Sequence, residues 1–182
     1  MLEEKYGFKI LEMGQALREI AKEKTELGKQ IKSTLDSGNL VSADFVGEVM
    51  KEVLSREKNE NLILDGFVRN QGNKETMEKI DTNYKVVFFN LPKEKAIDRL
   101  LGRMYDPETG ETFSSSFTHN PKTQTLLIKR KDDNEASILQ RINSFIQSTL
   151  PIVEIQKNEG KVIEINADQP VEKVFQEIEQ KL

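Results

Sequence analysis

Four short apolar runs, each bounded by turn or polar residues, punctuate the chain: Lys9-Ile10-Leu11, Leu62-Ile63-Leu64, Val86-Val87-Phe88-Phe89 and Val162-Ile163-Glu164-Ile165. They read as strands mostly buried on both faces, the pattern of a parallel sheet. Between them the apolar spacing lengthens to that of helices. Phe45, Val49 and Val53 recur at intervals of four, as do Val46, Met50 and Leu54, with Ser42 placed to cap the first turn. Ala96, Ile97, Leu100 and Leu101 mark a helix beginning near Pro92, whose fixed φ suits a first turn. Ile138, Ile142, Phe145 and Ile146 mark another that ends before Pro151, and Val171, Val174, Phe175 and Ile178 mark the last. Strands alternating with helices predict an α/β fold with a parallel sheet. No internal repeat is present.

Tyr105 to Lys129 breaks this rhythm, with Asp106-Pro107-Glu108-Thr109-Gly110, a serine triplet and Asn120-Pro121. Inserts of this length in compact domains are often functional lids, a disordered linker being the alternative. Phe113 and Phe117, set among polar residues, favour a small hairpin flap.

Composition narrows the chemistry. The 182 residues carry 27 Lys+Arg against 31 Asp+Glu, a net charge of −4, which fits one domain with or without an insert and no broad basic face for nucleic acid. A local cluster of cations can still hold a few phosphates. The absence of cysteine excludes disulfides, thiol catalysis and cysteine zinc sites. The one histidine, His119, follows the polar stretch Thr112 to Thr118 and reads as an exposed loop residue, which leaves little room for a histidine triad. No apolar run approaches the ~18 residues of a membrane span, and the first residues lack the pattern of a signal peptide. A cytoplasmic protein without membrane or nucleic-acid partners is expected. At 36% hydrophobic and 32% charged residues the chain can bury a core under a wet surface.

Leu62-Ile63-Leu64-Asp65-Gly66-Phe67-Val68-Arg69 sets a carboxylate at the C-terminal end of a strand, the edge at which open α/β sheets bind ligands. There an aspartate can hold the water shell of a magnesium ion, and an arginine just beyond can take a phosphate bidentately. The alternative is that Asp65 caps the next helix with Arg69 as its surface partner. Arginines then recur. Arg99 and Arg103 share a helix face that approaches the insert, Arg130-Lys131-Asp132-Asp133 lies across it, Arg141 is on the following helix and Arg18 follows Gly14. Singly each is a solvated charge. Together they frame one cleft, with the carboxylate pair holding them when it is empty, as a site for two polyanionic substrates requires.

At these residues the sequence resembles the adenylate kinase family, and more broadly the nucleoside monophosphate kinases. Leu64-Asp65-Gly66-Phe67-Val68-Arg69 with Asn73 is similar to the family's Asp-Gly-Phe-Pro-Arg signature and its later Gln or Asn, with Val68 in place of proline. Gly38-Asn39-Leu40-Val41 resembles its Gly-x-Leu-Val, and Leu27-Gly28-Lys29 its Leu-Gly-Lys. Asp98 to Arg103, Arg130 to Asp133 and Arg141 match the segments flanking the lid, so the likeness spans nearly the whole chain. It implies a parallel sheet flanked by helices, with a core over residues 1–104 and 130–182, acceptor-binding helices at about 12–55 and a lid over 105–129. It also implies reversible transfer of the terminal phosphoryl of MgATP to AMP or another nucleoside monophosphate, by a monomer. Arg18 and Arg69 would grip the acceptor phosphate, with Gly66, Phe67 and Asn73 beside the acceptor and Leu40 and Val41 around its base. Arg99, Arg103, Phe113 and Gln169 would contact ATP, with Arg103, Arg130 and Arg141 around the transferring group and Asp65 on Mg2+ through water. No zinc is expected.

The sequence departs from the family in three further places. It contains no Gly-x-x-Gly-x-Gly-Lys loop to cradle the ATP phosphates, and the strand that precedes that loop in relatives, at the centre of their sheet, is missing with it. A gap in the sheet with two unpaired edges is therefore expected, together with poor phosphoryl transfer by these residues alone. The N-terminally shortened chain of a working kinase, a partner of a separate loop-bearing chain and a catalytically silent nucleotide-binding relative are the readings this leaves. Leu11-Glu12-Met13-Gly14-Gln15 stands where the family has Ile-Ser-Thr-Gly-Asp, removing a hydroxyl near the acceptor base and a carboxylate near the metal. The stretch from Lys122 to Arg130 is shorter than in long-lid members.

Overall fold

A computed structural model describes residues 1–37, 39, 41–56 and 61–182. The elements run α1 (Leu2–Tyr6), β1 (Lys9–Glu12), α2 (Met13–Lys22), α3 (Glu26–Asp36), α4 (Ala43–Arg56), β2 (Leu62–Asp65), α5 (Gln71–Ile80), β3 (Val86–Asn90) and α6 (Lys93–Gly102). They continue with β4 (Met104–Tyr105), β5 (Thr112–Phe113), α7 (Glu135–Ser144), α8 (Leu150–Asn158), β6 (Val162–Asn166) and α9 (Val171–Lys181). The four apolar runs are the four long strands, and all their pairings are parallel.

The strands form two pairs instead of one sheet. β1 lies beside β2 with Ile10 opposite Ile63, and β3 lies beside β6 with Val87 opposite Ile163. Among the described residues no ladder joins one pair to the other. This corrects the expectation of strands buried on both faces. Only Ile165 is fully buried, while Ile10 is 40% and Phe89 50% exposed, because a two-stranded ribbon leaves each strand one neighbour and one open edge.

The core beside β1 and β2 is helical. Met13 and Leu17 of α2, Ile31 of α3, Val46 and Met50 of α4, Phe67 and Met77 of α5 are buried together. Helices α2 and α3 close on each other at Gly28, where a Cβ would sit 2.4 Å from the Glu23 carbonyl oxygen and 2.8 Å from that of Ile20. Thr25 caps α3 through its hydroxyl, and Ser42 Oγ accepts from the Phe45 N–H at the start of α4, as its position in the sequence suggested. Side-chain placement at Val53 lies outside the described residues.

The helix expected to end before Pro151 does not end there. Phe145–Thr149 forms a π-helical turn in which the Leu150 N–H reaches back to the Phe145 carbonyl, and α8 follows directly with Pro151 in its first turn. Proline has no N–H for the i−4 carbonyl and its ring collides with it in a regular helix, so the wider turn lets the rod continue.

The insert is built on the antiparallel pair β4–β5 and closed by single bridges between Tyr105 and Ile128 and between His119 and Leu126. Phe113 and Phe117 meet with ring centroids 5.8 Å apart, and His119 is exposed. Its centre is Asp106, fully buried, which accepts from the Glu108 and Thr109 N–H groups at 2.8 and 3.1 Å and from Asn120 Nδ2 at 2.6 Å. Burial alone would raise this carboxyl, but those donors outweigh it and hold the pKa down at about 2. Among the described residues no helix is long and apolar enough to cross a membrane.

Candidate functional site

Strands β1 and β2 end side by side, with Glu12 opposite Asp65, and the chain leaving each enters a cleft of about 320 Å³. On one side α2 opens with Met13 and Gly14, and Arg18 returns one turn later on the same face. A Cβ on Gly14 would lie 3.1 Å from Arg18 Nη1, so the bare backbone is what lets the guanidinium fold over the helix start. On the other side Gly66 takes φ +73° and turns the chain, and Arg69 Nε donates to the Gly66 carbonyl at 3.0 Å. Any Cβ at position 66 would lie 2.5 Å from Arg69 Nη2. The cap of α5 is Asn70, whose Oδ1 accepts from the Asn73 N–H at 2.9 Å. Asp65 is therefore not the cap; it stays exposed at the strand end, where its charge acts on Arg69.

The far wall comes from the ends of the insert. Arg103, at the end of α6, places Nε 2.8 Å and Nη2 2.6 Å from the two oxygens of Asp133, whose side chain is fully buried. Arg141 of α7 adds Nη1 at 3.1 Å from the same carboxylate and lies 3.6 Å from Asp132. Arg130 chelates Asp132, with Nε 2.9 Å from Oδ1 and Nη2 on Oδ2. Two successive carboxylates thus hold three arginines facing one space. The turn at Gly110 crosses to α2 and comes beside the Gln15 side chain, so the insert closes the cleft from above.

Five arginines and three carboxylates line the cleft, and Asp133, buried behind Arg103 and Arg141, is a fourth, which leaves an excess of one positive charge in a chain whose overall balance is negative. Loss of hydration is the largest influence on Arg18, Arg69 and Arg141 and pulls each below its ordinary value. Repulsion adds to it, from Arg130 on Arg18 and from Arg103 on Arg141. Arg130 is also desolvated, but its hydrogen bonds and charge pairing with Asp132 win and raise it, while the same contact lowers Asp132. Cations left in a drying cleft with too few carboxylates call for an anion.

Of the residues singled out in the sequence, Arg18, Val41, Asp65, Gly66, Arg69, Asn73, Arg103, Arg130 and Arg141 line this one cleft. Phe67 is 2% exposed and belongs to the core under it. Three others lie elsewhere. Arg99 Nη2 donates to the Ala167 carbonyl at 2.9 Å, Gln169 Nε2 to the Asn166 carbonyl at 2.9 Å and to Glu177 at 2.7 Å, and Phe113 meets Phe117 in the insert. Arg99 and Gln169 gather at the end of β6, apart from the lining of the cleft. Leu40 lies outside the described residues. The structure adds Leu17, Leu35 and Val46 as apolar wall and Asn70 as a polar one. Asn70 was findable as an N-cap preceding a polar helix, and Leu17 as the residue one turn beyond Met13.

Parallel strands whose C-terminal ends open on a cationic cleft, with an insert folded over it, define a protein that binds phosphate esters. Comparison with known proteins places that class in a family. The adenylate kinase family model matches residues 1–161. The chain is 34% identical to an adenylate kinase of Alkaliphilus oremlandii (strain OhILAs) over 96% of its own length and 87% of that protein's. It is 31% identical to one of Francisella tularensis subsp. novicida (strain U112) over 98% of its own length and 88% of the relative's. The chain belongs to the adenylate kinase family.

Proposed function

We propose that these residues form the acceptor and transfer side of a nucleoside monophosphate kinase that moves the terminal phosphoryl of MgATP to AMP or a related monophosphate. The arrangement of Arg18 and Arg69 facing the carboxylate-held Arg103, Arg130 and Arg141 carries this reading. Arg18 and Arg69 hold the acceptor phosphate. One of its oxygens forms a bond to the terminal phosphorus of ATP while the bond to the bridging oxygen breaks, leaving two diphosphates. Such transfer needs positioning and charge neutralisation and no general base. Arg103, Arg130 and Arg141 meet the charge spread over the phosphoryl oxygens by exchanging carboxylates for phosphate. Residues 105–129 act as the lid that keeps water out, and helices within residues 12–55 hold the acceptor.

Among the described residues no three His, Cys, Asp or Glu side chains cluster as a metal cage. Magnesium is normally carried by substrate phosphates and water with one or two carboxylates, and Asp65 at the strand end is the carboxylate offered. An ion held there would neutralise phosphate charge. Arg99 and Gln169 at the end of β6, with Phe113 of the insert, are the contacts proposed for the ATP side.

The donor phosphates also need a glycine-rich cradle that these 182 residues do not contain. The division of the parallel strands into two pairs supports a place for one more strand between them, with such a loop at its end. The test is ADP formation from MgATP and AMP, followed by phosphorus NMR. The chain as given is expected to bind AMP and transfer little. A version extended before Met1 by an apolar strand and a Gly-x-x-Gly-x-Gly-Lys loop is expected to turn over, with Arg103→Ala and Arg141→Ala each reducing its rate by about 10³-fold or more. An extended protein that folds, binds both nucleotides and still transfers nothing would establish a silent binding module instead.

A further inference from the structure

Arg69 is held at both polar atoms of its backbone by side chains from different parts of the chain. Its N–H donates to Asn73 Oδ1 of α5 at 3.3 Å, and its carbonyl accepts from Thr149 Oγ1, eighty residues further on, at 2.9 Å. Thr149 closes the π-helical turn Phe145–Thr149 and lies outside the lining of the cleft. A threonine in a helix ordinarily returns its hydroxyl to the carbonyl four residues back. Here that carbonyl, of Phe145, takes the Leu150 N–H, and the one hydroxyl proton of Thr149 goes to Arg69. The same helical rod carries Arg141 about two turns earlier, where it lines the cleft, and its charge opposes that of Arg69. Two cations that repel one another keep a set spacing only if something other than charge holds it.

Resting on the reading of Arg69 as a ligand of the acceptor phosphate, we infer that Thr149 is a positioning residue, whose hydroxyl ties the Arg69 backbone to the rod bearing Arg141 and so fixes the span between the two guanidiniums. Backbone and side chain of Arg69 are coupled for this purpose. Gly66, at φ +73°, turns the chain so that Arg69 Nε donates to the Gly66 carbonyl at 3.0 Å. Without the hydroxyl, repulsion from Arg141 draws Arg69 away in the empty cleft, and binding has to bring it back. The hydroxyl can alter affinity only by the difference its bond makes between the empty and the occupied cleft. For a single hydrogen bond that is a change of about tenfold at most.

The experiment is calorimetric titration of the 182-residue chain with AMP, beside Thr149→Val, Thr149→Ala and Thr149→Ser, with exchange of the Arg69 Nε–H proton with water followed by NMR. Val and Ala are expected to weaken AMP binding by about 3–10-fold and to speed that exchange. Ser, which keeps the hydroxyl, is expected to stay within about twofold of the parent on both. Val and Ala variants that bind AMP like the parent overturn the inference and leave the kinase reading standing. An equal loss in the Ser variant overturns it too, because the methyl group and not the hydroxyl would then be the agent. So does weaker binding with unchanged exchange at Arg69. Val and Ala chains that fail to fold overturn it by assigning the hydroxyl to the fold. A parent chain that does not bind AMP removes the kinase reading, and the inference with it.

Discussion

Replacing Asp133 by asparagine tests the arginine cluster most directly. The carboxylate is fully buried and takes two bonds from Arg103 and one from Arg141, whose side chains are 20% and 29% exposed. Asparagine keeps the shape and one acceptor oxygen, but turns an NH2 towards a guanidinium and removes the charge. Attraction to one arginine at about 4 Å is roughly 4 kcal/mol at an effective dielectric of about 20, part of it offset by the cost of drying the carboxylate. Removing one member of a buried pair typically costs about 3–5 kcal/mol. Because both arginines keep some water, the low end applies, about 3 kcal/mol. Urea unfolding should show a lower midpoint at unchanged slope. The variant cleft also carries one more uncompensated positive charge, so saturating pyrophosphate should stabilise Asp133→Asn more than the parent. A loss below about 0.5 kcal/mol, with pyrophosphate acting equally on both proteins, would refute the idea that Asp133 restrains the cluster.

Gly66→Ala should cost about 1–2 kcal/mol for a side chain at positive φ, and it displaces Arg69, whose Nη2 occupies the Cβ position. Monophosphate affinity should fall with stability in that variant, and unchanged affinity by calorimetry would show that Arg69 is not a phosphate ligand. Gly28→Ala should lose about 1–3 kcal/mol by overpacking α2 against α3, because the atoms it meets are backbone carbonyls. Lowering the pH tests the insert. Asp106 has its folded pKa depressed to about 2 from an ordinary 3.8, so its contribution is complete above pH 4 and is lost as pH falls towards 2. The Glu108 and Thr109 amide resonances should shift over that window, and their constancy would contradict the assignment.

How much of this was legible in the sequence depended on whether a residue acts locally. The four strands fell on the four apolar runs, and Ser42 capped its helix, because a run and a cap need only their neighbours. Burial of the strands was misjudged because it depends on what lies beside them, and Ile10 and Phe89 have open edges there. Pro151 pointed to a helix end since periodicity does not register a turn that widens by one residue. In the cleft, the arginines and the Asp132-Asp133 pair that anchors them could be read from charge spacing around the insert. Arg99 could not be separated from Arg103 that way. One turn apart on α6, they diverge because Arg103 follows the chain towards Asp133 while Arg99 reaches the Ala167 carbonyl at the end of β6.

The two strand pairs meet across a seam of side chains. Lys74 spans from α5 to Glu159 at 3.0 Å while holding Glu78 at 2.7 Å, and these partners push its pKa up to about 12. Gln156 Nε2 reaches the Tyr84 hydroxyl at 2.9 Å, and Thr149 Oγ1 reaches the Arg69 carbonyl at 2.9 Å. Ladder hydrogen bonds would fix distance and angle together, whereas these isolated contacts fix mainly distance. The carbonyl of Arg69 is one of the atoms held at this seam. On the function proposed above, a shift at that contact would re-aim Arg69 relative to the acceptor phosphate, which ties the grip on the acceptor to how the helix carrying Thr149 sits.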